Sequence, residues 1–133
     1  MTLAVPHPVI VKELPERCEG PQIRSFLRAL SVEMAKVVRP SVVLDCARIR
    51  QVDHQVLSLL LGSLEKAMKR NGDVRLAAIP PHARPGLESA GVRHLFRVYA
   101  TRADAVNSFH RPLMERISQP YSPAPPVSAA DAA

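Results

Sequence analysis

Along most of the chain, short apolar runs alternate with longer segments in which apolar residues recur every three or four positions. The runs predict strands, because β-branched and apolar side chains suit a pleated surface that is covered by helices. They are Val9–Leu14, Val42–Leu44, Val74–Ile79 and Leu95–Tyr99. Strands that alternate with helices are joined by right-handed crossovers, so the pattern predicts an α/β fold with a small, mainly parallel sheet flanked by about four helices.

The segments of helical periodicity place their apolar residues on one face. The first runs from Gln22 to Val37, and Arg39-Pro40 stops it. The second begins after Asp53, a good N-cap residue, and ends at Asn71-Gly72. Its predicted buried stripe consists of Val56, Leu57, Leu59, Leu60, Leu61, Leu64 and Met68. A short apolar stub, Ile49–Val52, precedes this helix.

Two further helices are expected near the end of the pattern. Pro80-Pro81 begins a short helix that closes at Gly91. A last helix starts at Thr101, whose spacing from Asp104 is that of a capping box, and Pro112 should kink or end it.

One domain is predicted, and it spans residues 8–117. The 133 residues are enough for a single core. Residues 1–7 are interpreted as a short tail. Residues 118–133 are rich in Pro, Ala and Ser without periodicity, so we expect a disordered tail there.

Charge and cysteine usage limit the classes of function. The net charge is +6, but the lysines and arginines are spread over every segment, so a basic solvated surface is favoured and no nucleic acid is expected. Cys18 and Cys46 have no metal-type spacing, which favours a reducing compartment, the cytoplasm. No signal peptide or membrane span is predicted, since the apolar runs are far below the ~18 residues that a span needs.

Candidate chemistry is sparse. The five histidines are scattered, and neither a Gly-rich phosphate loop nor a Gly-x-Ser-x-Gly motif occurs. Asp45 and Asp53 could together bind a metal or act as acid and base, although a turn and a helix cap are the favoured interpretation. His54 could be a general base or pH sensor, although a surface histidine is favoured. We therefore expect no enzyme activity, no metal and no cofactor.

Residues 41–55 carry a resemblance to the STAS domain, the fold of bacterial anti-sigma factor antagonists. Relatives usually end this stretch with Asp-Ser-Ser-Gly or Asp-Ser-Thr-Gly, and the second hydroxyl residue is phosphorylated by a protein kinase. Here the four residues are Asp53, His54, Gln55 and Val56. Further similarity lies in Gly72–Leu76, in Leu87–Gly91 with the following Leu95-Phe96, and in Thr101 and Ala105. The resemblance covers roughly residues 9–110, and the first strand of the usual N-terminal pair is missing or very short.

The resemblance implies a regulatory protein-binding module whose partner is an anti-sigma factor or a histidine-kinase-like ATPase. An accessory subunit of a transporter ATPase, or a part of a larger signalling assembly, is the alternative, and a homodimer is possible. Asp53, His54, Gln55 and Val56 would bind the partner, and we expect the last three side chains to contribute little to the core. Gln55 cannot be phosphorylated. Ser58, the one hydroxyl residue in residues 53–58, is expected to be poorly accessible.

Overall fold

The structure, a computed structural model, describes residues 8–110, in which four strands alternate with four helices. The predicted α/β fold is confirmed. The elements are β1 Val9–Glu13, α1 Gly20–Met34, β2 Ser41–Asp45, α2 His54–Met68, β3 Asp73–Ala77, α3 Arg84–Ser89, β4 Arg97–Tyr99 and α4 Arg102–Phe109. The expected tails, 1–7 and 118–133, and the expected end of the last helix lie outside the described residues.

All four strands are parallel and lie in the order β1-β2-β3-β4. Val9 pairs with Ser41, and Ser41 pairs with Asp73, so the first three strands begin at the same position along the sheet. Within residues 8–110 no strand pairs with β1 in the antiparallel sense. The segment before β1, where the first strand of the usual pair would lie, is outside the described residues.

The strand ends differ from the sequence prediction for local reasons. β3 ends at Ala77, two residues early, because Ala78 has a positive φ of 59°. β4 begins at Arg97, because residues 92–95 form a turn of 3-10 helix. The stub Ile49–Val52 is irregular backbone, yet the Ile49 side chain is buried and anchors the connection to the core.

The larger core lies between the sheet and the helices α1 and α2. Val42 and Leu44 of β2 point into it, whereas Val43 points to the opposite face. α1 and α2 pack closely: a Cβ at Gly62 would lie 3.2 Å from Leu27 Cδ1, so glycine permits the approach. The fully buried large side chains of this core include Leu14, Leu30, Met34, Leu59, Leu60 and Leu76.

Helix α4 covers the opposite face of the sheet. Ala105 packs there with Val43 and Ala77, and Phe109 is partly buried beside them. Arg75 of β3 is also on this face and is only 7% exposed. Its Nη1 donates to Ser108 Oγ at 2.6 Å, and its guanidinium lies 3.9 Å from the centre of the Phe109 ring. These contacts attach the end of α4 to the sheet.

The buried stripe of α2 is narrower than predicted. Leu61 and Met68, expected in the core, are 39% and 62% exposed. They lie about 100° round the helix from the buried line, which runs through Val56, Leu60, Ser63 and Ala67. Periodicity alone could not show how much of the apolar face the sheet would cover.

The predicted end of α2 is confirmed. Asn71 adopts a positive φ of 60°, and the Gly72 N–H donates to the Ala67 carbonyl at 2.8 Å. A Cβ at Gly72 would lie 2.2 Å from the Pro40 carbonyl oxygen, so this position requires glycine for space.

Candidate functional site

The N-terminus of α2 lies at the end of the chain segment that follows β2. Asp53 is the N-cap, with an extended backbone (φ −127°, ψ −177°). Its Oδ1 accepts hydrogen bonds from the N–H groups of Gln55 at 3.1 Å and Val56 at 3.0 Å. The predicted cap is therefore confirmed, and the carboxylate already occupies two of the backbone donors that a helix N-terminus would otherwise offer to an anion.

The three residues after Asp53 differ in exposure. His54 is exposed and Gln55 is half-buried. Val56 is 4% exposed and belongs to the larger core, which confirms its place on the predicted apolar stripe. The separate expectation that its side chain contributes little to the core is wrong. The reason is helical geometry: Val56 begins the line that Leu60 continues one turn later, and this line faces the sheet.

Ser58 also differs from its prediction. Its side chain is exposed, although we expected poor access one turn into the helix. The buried line of α2 passes through Val56 and Leu59 and leaves Ser58 on the solvent side. The hydroxyl of Ser58 is thus open to solvent close to the position of Gln55.

A groove of about 300 Å³ adjoins the start of α2. Its walls come from the connection between β1 and α1 and from the segment that precedes α2. Arg50 forms an ion pair with Glu16 across the two walls. Among residues 8–110 the Gln55 amide has no hydrogen-bond partner, so it is available at the edge of the groove. The lining residues are Glu16, Arg17, Cys18, Glu19, Arg50, Gln51, Asp53, Gln55 and Val56.

The pKa values of both thiols are raised. Burial and then the carboxylate of Asp53 raise the pKa of Cys18, whose Sγ lies 3.6 Å from the Pro15 carbonyl. Burial raises the pKa of Cys46 to about 12. Because a thiolate is the reactive form of cysteine, neither residue has the electrostatic environment of a nucleophile.

Asp45 and Asp53 do not act together in the structure. Asp53 caps α2, whereas Asp45 accepts a hydrogen bond from the Ala47 N–H at 3.0 Å and two from Arg102. No group of three or more His, Cys, Asp or Glu residues is placed to hold a metal ion in the part of the chain that the structure describes. The turn and the cap, which the sequence favoured, are the observed roles.

A charged cluster at the carboxyl edge of the sheet was not predicted from the sequence. Arg102 Nη2 donates to Glu13 at 3.1 Å as well as to Asp45, and Arg48 lies 3.9 Å from Glu13. The residues of this cluster are far apart in sequence. A signal existed nevertheless: Glu13 and Asp45 each end a strand, and parallel strands bring their carboxyl ends to one edge.

A parallel sheet with helices on both faces, and a capped helix that begins beside a polar groove, define a small α/β domain. The chain belongs to the STAS domain family, whose model matches residues 12–105. STAS domains generally are non-enzymatic modules that mediate protein–protein interaction. No curated protein sequence matches the chain.

Solved structures support the same fold. A STAS-domain anti-sigma-factor antagonist from Planctomyces limnophilus has a TM-score of 0.67 at 15% identity, over 77% of this chain and 92% of that chain. The STAS domain of a SulP transporter from Vibrio cholerae has a TM-score of 0.63 at 19% identity, over 87% and 89%. A sulfate transporter family protein from Wolinella succinogenes has a TM-score of 0.61 at 17% identity, over 80% and 88%. In residues 8–110 of this chain, no helix is long and apolar enough to cross a membrane.

Proposed function

We propose that this chain is a non-enzymatic regulatory module of the anti-sigma factor antagonist type. It binds an anti-sigma factor or a histidine-kinase-like ATPase through the start of α2. The contact residues are Asp53, His54 and Gln55, with Val56 supporting them from the core. The similarity to the Planctomyces limnophilus antagonist and the groove beside Gln55 support this proposal.

The observation that carries the proposal is the burial and hydrogen bonding of Gln55. Its amide is half-buried at the edge of the groove, and its backbone N–H is held by Asp53. An amide offers both a donor and an acceptor to a partner but cannot accept a phosphoryl group. The binding surface therefore stays in one charge state where relatives carry a phosphorylatable hydroxyl.

Affinity capture followed by mass spectrometry identifies the partner, and titration calorimetry then measures its affinity. Gln55→Glu should weaken the complex at least tenfold, because it puts a charge on the contact surface. Gln22→Glu is the matched control, since Gln22 is exposed in the first turn of α1 and receives the same charge. Equal affinities of Gln55→Glu, His54→Ala and the unmodified protein would place the interface elsewhere and overturn the assignment.

A kinase assay tests the proposal that the charge of the binding surface around Gln55 is fixed. Incubation with ATP and a kinase of a related antagonist should give no gain of mass within residues 53–58. Because Ser58 is exposed, Ser58→Ala must be measured in parallel. A phosphate mapped to Ser58 that weakens partner binding would show that the switch has moved by one turn, contrary to the proposal.

A transporter-associated role is the second candidate. It is favoured by the similarity to the SulP transporter STAS domain, which covers 87% of this chain. In that case the chain would be an accessory subunit that binds a transporter ATPase or a larger signalling assembly. The capture experiment separates the two, because it recovers either a sigma-regulating protein or the subunits of a transporter.

A further inference from the structure

A second groove lies between α1 and α2, in their C-terminal halves. Its volume is about 410 Å³, and it is lined by Ser31, Met34, Lys66, Lys69 and Arg70. Met34 is fully buried and forms the floor. We call this feature the basic groove. It lies at the opposite end of α2 from Gln55, roughly 20 Å away along a helix of 15 residues.

The part of the chain that the structure describes does not neutralise the charge of the basic groove. Among residues 8–110, no acidic residue lines it. Within residues 8–110, Lys66, Lys69 and Arg70 have no ion pair with a carboxylate, and the nearest acidic residue in sequence, Glu65, pairs with none of them. By contrast, Arg102 is paired with two carboxylates.

The closeness of these three cations destabilises the unbound protein through electrostatic repulsion. Lys66 lies in the last turn of α2, and Lys69 and Arg70 follow directly beyond the end of the helix at Met68, so three like charges lie within five residues of chain and repel one another. The helix dipole favours cations in the last turn of α2, but it does not require them to line one groove with Ser31. An anionic occupant would remove the repulsion.

We propose that the basic groove binds an acidic segment of a protein partner through two or three carboxylate side chains. The fork of Arg70 can hold one carboxylate with two hydrogen bonds, and the lysines hold the others as point charges. The three cations lie within about one helical turn, which matches a short peptide segment. The lining that residues 8–110 provide contains no aromatic ring on which a nucleic acid base could stack, and a recessed floor does not suit a flat lipid surface.

A fluorescein-labelled octaglutamate peptide is the probe, and fluorescence anisotropy at 50 mM and 150 mM salt is the measurement. The triple variant Lys66→Gln, Lys69→Gln, Arg70→Gln should lose at least tenfold in affinity. The triple variant Arg24→Gln, Arg84→Gln, Arg97→Gln is the matched control, because it removes three exposed cations outside the groove lining. It should bind within about twofold of the unmodified protein.

A second variant tests the groove without removing a cation. Ser31→Asp places a carboxylate among the three cations, so it should weaken the peptide at least fivefold while circular dichroism and the melting temperature show a folded domain. His54→Ala should leave the peptide affinity unchanged, which makes a failure of this inference distinguishable from a failure of the proposed function.

Three results would overturn the inference. Equal losses in both triple variants would mean that the peptide responds to net charge only. Unchanged binding in both would mean that the peptide binds elsewhere. Tighter, groove-dependent binding of phosphatidylserine vesicles or of a single-stranded oligonucleotide would assign the groove to a membrane or to a nucleic acid instead.

Discussion

The guanidinium of Arg102, in the first turn of α4, donates to the carboxylate of Asp45 at the end of β2. Nε lies 3.0 Å and Nη2 2.7 Å from Oδ2. Asp45 is 8% exposed, so the arginine compensates a nearly buried charge. Arg75 and Ser108 make the corresponding attachment at the far end of α4, and the helix is thereby held to the sheet at both ends.

Arg102→Met should therefore lower the stability of the domain, because it leaves the Asp45 carboxylate with the Ala47 N–H as its remaining partner. Urea unfolding gives the free energies of Arg102→Met, Asp45→Asn and the double variant. The double variant should cost less than the sum of the two, since each single change breaks the same pair. Additive effects would mean that the contact contributes nothing to holding α4.

Val56 and His54 should separate the folding role of the α2 start from its binding role. Val56→Ala should cost about 1–3 kcal/mol of the free energy of unfolding, because it leaves a cavity beneath the helix. His54→Ala, at an exposed position, should change stability by less than about 0.5 kcal/mol. Both are measured by thermal and urea unfolding. A small effect of Val56→Ala would contradict its burial.

Gly72 and Gly20 differ in the space that is available for a Cβ atom, so their alanine variants can be compared directly. Gly72→Ala should destabilise by about 1–3 kcal/mol or more, since its Cβ would clash with the Pro40 backbone. Gly20→Ala meets only the flexible end of Arg24 at 3.3 Å, so it should be neutral or stabilising by up to about 0.5–1 kcal/mol. Comparable losses in the two variants, measured by urea unfolding, would contradict the close approach at Gly72.

The Cys46 thiol should make stability fall in alkaline solution. Its pKa rises from an ordinary 9.0 to about 12 on folding, so the folded state keeps a proton that the unfolded state releases. The stabilisation that the protonated Cys46 thiol gives the folded state is fully present below pH 9 and is lost as the pH rises towards 12. Between these values the unmodified protein should lose about 1.4 kcal/mol per pH unit more than Cys46→Ala.

The measurement is urea unfolding under reducing conditions at pH 8, 9, 10 and 11. Using the difference between the two proteins cancels the titration of lysines and tyrosines. Parallel curves for the unmodified protein and Cys46→Ala would contradict the burial of this thiol. Thiol reagent at pH 8 should label both cysteines in urea and neither of them rapidly in the native state.

The sequence predicted those elements that depend on local chemistry. Asp53 as a cap, Asn71-Gly72 as a helix end and Thr101 as an N-cap accepting from the Asp104 N–H at 3.0 Å all involve neighbours within a few residues. The order of strands and helices followed from periodicity in the same way. Such features can be inferred because the partners are present in the same short segment.

Features that depend on distant segments were missed or misplaced. Val56 was assigned both to the apolar stripe of α2 and to the exposed start of the helix, because the sequence alone does not show which way the first turn faces. Leu61 and Met68 looked buried because periodicity does not show where the covering sheet ends. The pairing of Arg102 with Asp45 spans 57 positions and required the fold before it could be seen.

The parallel register has a consequence for how the chain folds. Val9 pairs with Ser41 and Arg75 with Arg97, so partners stand 32 and 22 positions apart, and residues 8–110 contain no hairpin from which a sheet could nucleate. Each pair of strands can form only after a whole helical crossover has closed. The entropic cost of closing a loop rises with its length. The folding rate of this domain should accordingly be limited by the closure of these crossovers, as expected for a sheet whose strand contacts are all non-local.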